Sequence, residues 1–260
     1  LLDHLASSLV ANDWSIKWLH KYIVTSATYQ QSSVVDADEY KKDPSNQWLS
    51  RFPRSRLDAE IIRDASLLSA GILSDKMFGP PVRPPQPAGI TETAYGSPKW
   101  VASDGEDRYR RSIYTFLKRT APAPFMTSFD APSREQSCAL RGRSNTPIQA
   151  LQLMNDVQHV EAARNLAQRI LKEGGAKDNQ RIQWAWRVAT SRRPAMEEAQ
   201  VVQNVLDGHR TRFTKDAESA KKLIAYGESK PDPSLKPVDL AAWTLVANLL
   251  LNLDEVVNKN

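Results

Sequence analysis

The chain has 260 residues, 41% of them hydrophobic and 25% charged, with a formal net charge of +5. That content suffices for one large core or two modest ones and excludes wholesale disorder. No run of about 18 apolar residues occurs, so no segment reads as a membrane-spanning helix. Cys138 is the single cysteine, which excludes an internal disulfide, a thiolate metal cage and a Cys-x-x-Cys-His haem attachment. His4, His20, His159 and His209 lack ligand-like spacing, and no metal site is expected. Leu1-Leu2-Asp3-His4 opens in amphipathic rhythm with no initiator Met, and we expect a segment of a longer chain.

In chain order, Leu1, Leu2, Leu5 and Leu9 share one face of a first helix. Ser15 is placed to cap a second, with Ile16, Leu19, Tyr22 and Ile23 on its apolar side. Residues 36–46 are charged and read as a solvated linker. A third helix is expected from Arg54 to Leu73. Ser55 is its candidate cap, and Leu57, Ile61, Ala65, Leu68 and Ile72 form a core-facing stripe. Residues 74–135 read as a Pro/Gly-rich irregular excursion, since closely spaced prolines forbid both a continuing helix and a central strand. Phe78, Tyr95 and Trp100 are its expected apolar anchors. Tyr109 to Leu117 is rich in β-formers and predicts a short strand or buried extended segment.

From Thr146 onward the pattern is helical. Thr146-Pro147-Ile148-Gln149 combines a cap, a first-turn proline and a reaching glutamine. Val160, Ala163, Leu166, Ala167 and Ile170 form a stripe closed by Gly174-Gly175. Amphipathic helices follow over 179–190, 194–210 and 214–226. After a Pro-rich linker, a helix from Val238 to Leu253 is apolar nearly all round and should be buried. The fold expected is all-α or mainly α, as a single multi-helix unit over 1–260. It carries the long loop excursion, a C-terminal helical part over 146–260 and at most one small β element.

The middle of the chain concentrates arginine. Between Lys99 and Arg143 there are seven Arg and two Lys against five acids. Arginine is the better fork for carboxylate, phosphate or sulfate groups. Arg108, Arg110, Arg111, Arg134, Arg143 and Asn145 are therefore candidate ligand-binding residues. The alternative is that these arginines tie loops to carbonyls and acids within the protein. Asp130, Glu135 and Asp156 are candidate acid/base groups, since paired carboxylates about 5–10 Å apart can cleave a glycosidic bond. Their structural reading has Asp130 holding a turn, Arg134 paired with Glu135, and Asn155 and Asp156 capping a helix. No Gly-x-Ser-x-Gly elbow and no phosphate-cradling glycine loop occurs. The arginines lie in Pro-rich loops and not along one helix face, so nucleic acid is not an expected partner. Lone Cys138 is read as a buried thiol.

Gly105 to Ser112, Phe129 to Glu135 and Arg143 to Leu151 together form a dense polar middle. With Arg51-Phe52-Pro53-Arg54-Ser55-Arg56, Gly79-Pro80-Pro81-Val82 and the terminal stretch Ala242 to Glu255, they resemble the C-terminal family of planctomycete secreted proteins called PSD1, or domain of unknown function 1553. The resemblance runs in order through nearly the whole chain. It departs at Val157, where a proline is expected, and at Ala195-Met196, where a Thr-Pro helix start is expected. It implies an extracytoplasmic protein with a haem-binding cytochrome c domain upstream, and no cofactor in this chain. The first functional expectation is a non-catalytic interaction and scaffold domain, with the upstream domains and an anionic polysaccharide as partners. The second is a polysaccharide-acting enzyme, in which Asp130, Glu135 and Asp156 supply the acid/base groups and Arg110, Arg111 and Arg143 hold substrate acids. The third is a redox partner surface for the haem domain.

Overall fold

A computed structural model describes residues 1–87, 89, 99–119 and 121–259. It is mainly α. The helices are α1 (Leu2–Ala11), α2 (Ile16–Val24), α3 (Ala37–Lys42), α4 (Ala59–Ser69), α5 (Pro124–Ser128), α6 (Pro147–Asn155), α7 (Val157–Glu173), α8 (Asp178–Thr190), α9 (Met196–Lys215), α10 (Ala217–Ile224), α11 (Pro237–Leu251) and α12 (Asp254–Val257). The one sheet among the described residues pairs two short strands, β1 (Ser55–Arg56) and β2 (Asn258–Lys259). No helix among the described residues is long and apolar enough to cross a membrane. Packing divides the chain into two compact units, Leu1–Ser55 with the last residues, and Arg56–Val257. The sequence patterns, which led us to expect one unit, do not announce this division.

The first unit is organised by hydrogen bonds more than by a core. Its helices bury no residue, and Leu1 and Leu2 are 91% and 81% exposed. Ser15 caps α2 by accepting from the Trp18 amide at 3.2 Å, as its position predicts. Residues 36–46 are not a plain linker, because Asp36 accepts from the amides of Asp38 and Glu39 and so starts α3. Asp43 is buried and receives the Gln47 and Trp48 amides, each at 2.8 Å. The Trp48 amide, helped by Gln47 and Arg51, holds the Asp43 carboxyl below the ordinary carboxylate value against the opposing effect of burial.

In the second unit α11 is the hub. Leu240, Ala241, Ala242, Trp243, Val246, Ala247 and Leu250 are all buried, against α7, α8, α9 and α10. Its apolar circumference in sequence reflects this encirclement. Each fully buried leucine contributes about 1.5–3 kcal/mol, whereas an exposed ion pair contributes roughly 0–1 kcal/mol, so this core outweighs the surface charge pattern. The Thr146 start forms as expected: Gln149 Oε1 accepts from the Thr146 amide at 2.9 Å, with Pro147 in the first turn of α6.

Helix α4 departs from its expected register. It begins at Ala59, because Ser55 is extended in β1. The buried arc is Ala59, Ile62, Arg63, Ser66 and Leu67, while Ile61 and Leu68 of the expected stripe are 46% and 64% exposed. Hydrophobic spacing passes over this arc because Arg63 and Ser66 are polar. They are buried because their polar groups are bonded inside. Of the short strand or buried extended segment expected over 109–117, no strand forms, while Arg110 and Thr115 are buried with extended backbone. Gly105–Tyr109 and Ser112–Tyr114 are tight helical turns, and extension is limited to single bridges from Ser74 to Arg110 and from Val82 to Thr115.

Within the Pro-rich arm, Trp100 Nε1 donates to the Pro84 carbonyl at 2.8 Å, which makes it the anchor expected. Phe78 does not serve as one: the residue is 79% exposed, although its amide donates to the Tyr114 hydroxyl. Tyr95, Gly96 and Pro98 lie outside the described residues.

Candidate functional site

The polar middle folds onto α4 and the start of α6, and most of its arginines bond within the protein. Arg110 is fully buried. It donates to the carbonyls of Lys76, Phe78 and Pro80, with its guanidinium 3.9 Å from the Tyr114 ring centroid. Arg108 pairs with Glu228 at 2.7 Å, and its carbonyl receives Arg63 and Gln158. Arg63 is itself buried and donates to Gln158, Arg110 O and Ser112 Oγ. Burial holds Arg63 down to about 10, against the charges of Asp64 and Asp156. Arg111 is half exposed, with Nε 3.9 Å from Asp64. Arg143 reaches Asp58 at 3.5 Å, and Asn145 is exposed.

Two of the three candidate carboxylates hold local structure, each in a different place. Asp130 sits at φ +60 and accepts from the Ser144 amide at 2.7 Å and its hydroxyl at 2.9 Å, which holds the loop before α6. Asp156 caps α7, accepting from the Gln158 and His159 amides. Glu135 is exposed, and no ion pair among the described residues joins it to Arg134. The expected Arg134–Glu135 pair is thus not formed. Arg134 is exposed at φ +67, a conformation that non-glycine residues rarely adopt. Cys138 is exposed and not buried, its Sγ 3.4 Å from the Leu140 carbonyl.

Burial pushes the Asp156 carboxyl up, but its hydrogen bond and charge interaction with His159 and the two amides leave it below the ordinary value. Glu60, also partly buried, is held low by Arg141. Both carboxyls bind fewer protons folded than unfolded. Their stabilisation is therefore complete above the unfolded carboxylate range, near pH ~4, and is lost as pH falls through the lowered folded values. Urea midpoints at pH 7, 5, 4 and 3 are expected to hold and then drop below about pH 4, with a shallower drop in Asp156→Asn.

Asp156 also belongs to a constellation that sequence reasoning missed. His159 Nδ1 lies 3.5 Å from Asp156, and His159 Nε2 lies 3.3 Å from Ser66 Oγ. The order resembles a hydrolase triad, but its chemistry does not. Ser66 lies inside α4, is 4% exposed, and donates its one hydroxyl proton to the Ile62 carbonyl at 2.9 Å. Phe125 stacks on the imidazole at 4.9 Å. A nucleophile needs access and a base that takes its proton. This relay ties α4, α5 and α7 together. Among the described residues no group of three or more His, Cys, Asp or Glu is placed to hold a metal ion.

The open cavity of this region is a groove of about 540 Å³ bounded by the start of α4, residues 112–119, α5 and the 131–134 loop. Ile61, Ile113, Leu117 and Met126 give it an apolar surface, and Ile113 and Leu117 are 76% and 55% exposed. Its lining holds four basic side chains, Lys118, Arg119, Arg134 and Arg141, against Asp58 and Glu60. The two acids are already matched: Arg141 grips Glu60 with two bonds, at 2.9 and 3.2 Å, and Arg143 approaches Asp58. Arg119 and Arg134 are exposed and make no ion pair among the described residues. Of the carboxylates marked from sequence, none lines this groove; of the arginines, Arg134 alone does. Ile113 and Leu117 lie in the stretch that reads in sequence as a short strand or buried extended segment, and in the fold they face solvent.

Fold and groove together define a mainly helical module with an apolar, cation-rimmed groove. Its candidate carboxylates are dispersed into caps and turns. The family model PSD1, a protein of unknown function (DUF1553), matches residues 1–206, and the chain belongs to that family. The match ends within α9, so the resemblance at Ala242–Glu255 is not part of it. No curated protein matches the chain, and no solved structure does.

Proposed function

We propose that the chain is a non-catalytic interaction domain, and that the groove beside α4 binds an anionic ligand bearing carboxylate or sulfate groups. In this reading it serves an exported protein whose haem domain lies outside this chain, and it scaffolds a partner. The observation that carries the reading is the pair of exposed guanidinium groups, Arg119 and Arg134, neither in an ion pair among the described residues, on the rim of an apolar groove whose own acids are already paired. Arginine forks of this kind suit carboxylate and sulfate oxygens. The polysaccharide-hydrolase alternative needs two carboxylates facing one cleft. The separate structural duties of Asp130 and Asp156, and the absence of all three candidates from the groove lining, favour binding over hydrolysis.

Charge reversal at both rim positions, Arg119→Glu with Arg134→Glu, is expected to weaken binding of polygalacturonate and dextran sulfate by roughly tenfold or more. The melting temperature should hold, because both side chains are exposed. Titration at fixed ionic strength reads this out. Equal binding by wild type and variant, or no binding of either polyanion, would remove the proposal.

A further inference from the structure

We infer that the natural occupant of the groove is an extended polypeptide segment with alternating acidic and apolar residues, added as a strand along Thr115–Leu117. This deepens the anion-binding reading above and rests on it. One edge of the segment is already used. The Val82 amide donates to the Tyr114 carbonyl at 2.8 Å, and the Phe116 amide donates to the Val82 carbonyl at 2.7 Å, a parallel bridge. In extended backbone the polar groups of successive residues point to opposite edges. Those of Thr115 and Leu117 therefore face away from Val82.

The Thr115 amide is taken by the Ser112 carbonyl at 3.0 Å. The Thr115 carbonyl and both polar groups of Leu117 have no backbone partner among the described residues. Thr115, Phe116 and Leu117 also line the groove; Thr115 is 7% exposed and Leu117 is 55% exposed, so the reachable part of the edge is centred on Leu117. An unpaired edge beside a pocket is the arrangement that strand addition uses: main-chain bonds supply affinity, and pockets for alternate side chains supply specificity.

The side-chain chemistry agrees with a peptide. Apolar residues of an incoming strand would meet Ile61, Ile113 and Met126, and the alternating acids would meet Arg119, which follows the edge in sequence, and Arg134 on the opposite loop.

The test titrates the full chain, at constant ionic strength, with a fluorescein-labelled peptide of alternating leucine and glutamate. Comparison probes are the same peptide with alternate backbone amides N-methylated, polyglutamate, polygalacturonate and dextran sulfate. The alternating peptide is expected to bind tightest. N-methylation, which removes donors to the edge and leaves the protein untouched, should weaken it roughly tenfold. Leu117→Pro, which removes the edge donor of the protein, should weaken the peptide and spare the polyanions. Polyanions that match the peptide in affinity, N-methylation without effect, or a silent peptide would overturn strand addition while leaving the anion site standing. Binding of every probe that ignores Arg119→Glu with Arg134→Glu would overturn both.

Discussion

Glu161→Ala is expected to cost about 3–5 kcal/mol of stability, among the largest losses available to a single substitution in this chain. Glu161 and Arg164 are both fully buried within α7. Glu161 Oε1 receives the Tyr109 hydroxyl at 2.8 Å, the amides of Glu228 and Ser229 at 3.0 and 2.7 Å, and the Ser229 hydroxyl at 2.7 Å. Arg164 donates to the carbonyls of Ile224 and Tyr226 and to Ser229. Two opposite charges thus fasten the loop after α10 to the centre of α7.

Removing Glu161 leaves the Arg164 charge buried without its counter-ion and strands several donors. The loop is fitted closely around this carboxylate. Gly227 sits at φ +92, and a Cβ placed on it would meet the Glu161 side chain at 2.5 Å. Burial, followed by the hydrogen bond to Glu161, pushes the Tyr109 hydroxyl up to about 12. Urea denaturation of Glu161→Ala and Glu161→Gln checks the account, with glutamine expected to fall between wild type and alanine because it keeps the shape and loses the charge. Near-wild-type stability in Glu161→Ala would sink it.

Arg110→Ala is the second large effect, expected at about 3 kcal/mol or more. The guanidinium serves three carbonyls of the 76–80 stretch, which leaves each with no protein donor once it is gone. The loss of its stacking on Tyr114 adds to this. The predicted signature is local as well as global, with trypsin cutting at Lys76 well before the helical core yields. Arg110→Lys should rescue little, since a single ammonium cannot hold three diverging carbonyls. A stable, protease-resistant Arg110→Ala would show that the arm is held by other contacts. The result also bears on binding assays: loss of ligand affinity in this variant reports a loosened arm and not a missing ligand contact.

Much of the helical framework was legible beforehand. Thr146-Pro147 with Gln149, Ser15 ahead of α2, and the all-round apolar stretch that becomes α11 are local signals, each contained within a few turns of chain. The α4 register was not legible, because its buried arc contains Arg63 and Ser66, whose long-range bonding partners lie at 108–112 and 158–159. The same applies to the expected linker over 36–46, where the decisive contact is one carboxylate closing on two amides. Hydrophobic spacing records which residues leave water, and it is blind to polar groups that leave water in pairs.

The candidate site divides along the same line. Sequence by itself determined the helical class, most helix positions from Thr146 onward, and the concentration of arginine in the middle of the chain. Only the tertiary structure decided which arginines are spent on the fold and which face solvent. Arg110 and Arg134 carry the same guanidinium, yet one is enclosed by carbonyls 30 and more residues away and the other stands exposed on a groove. That difference is set by neighbours distant in sequence, and no local pattern encodes it.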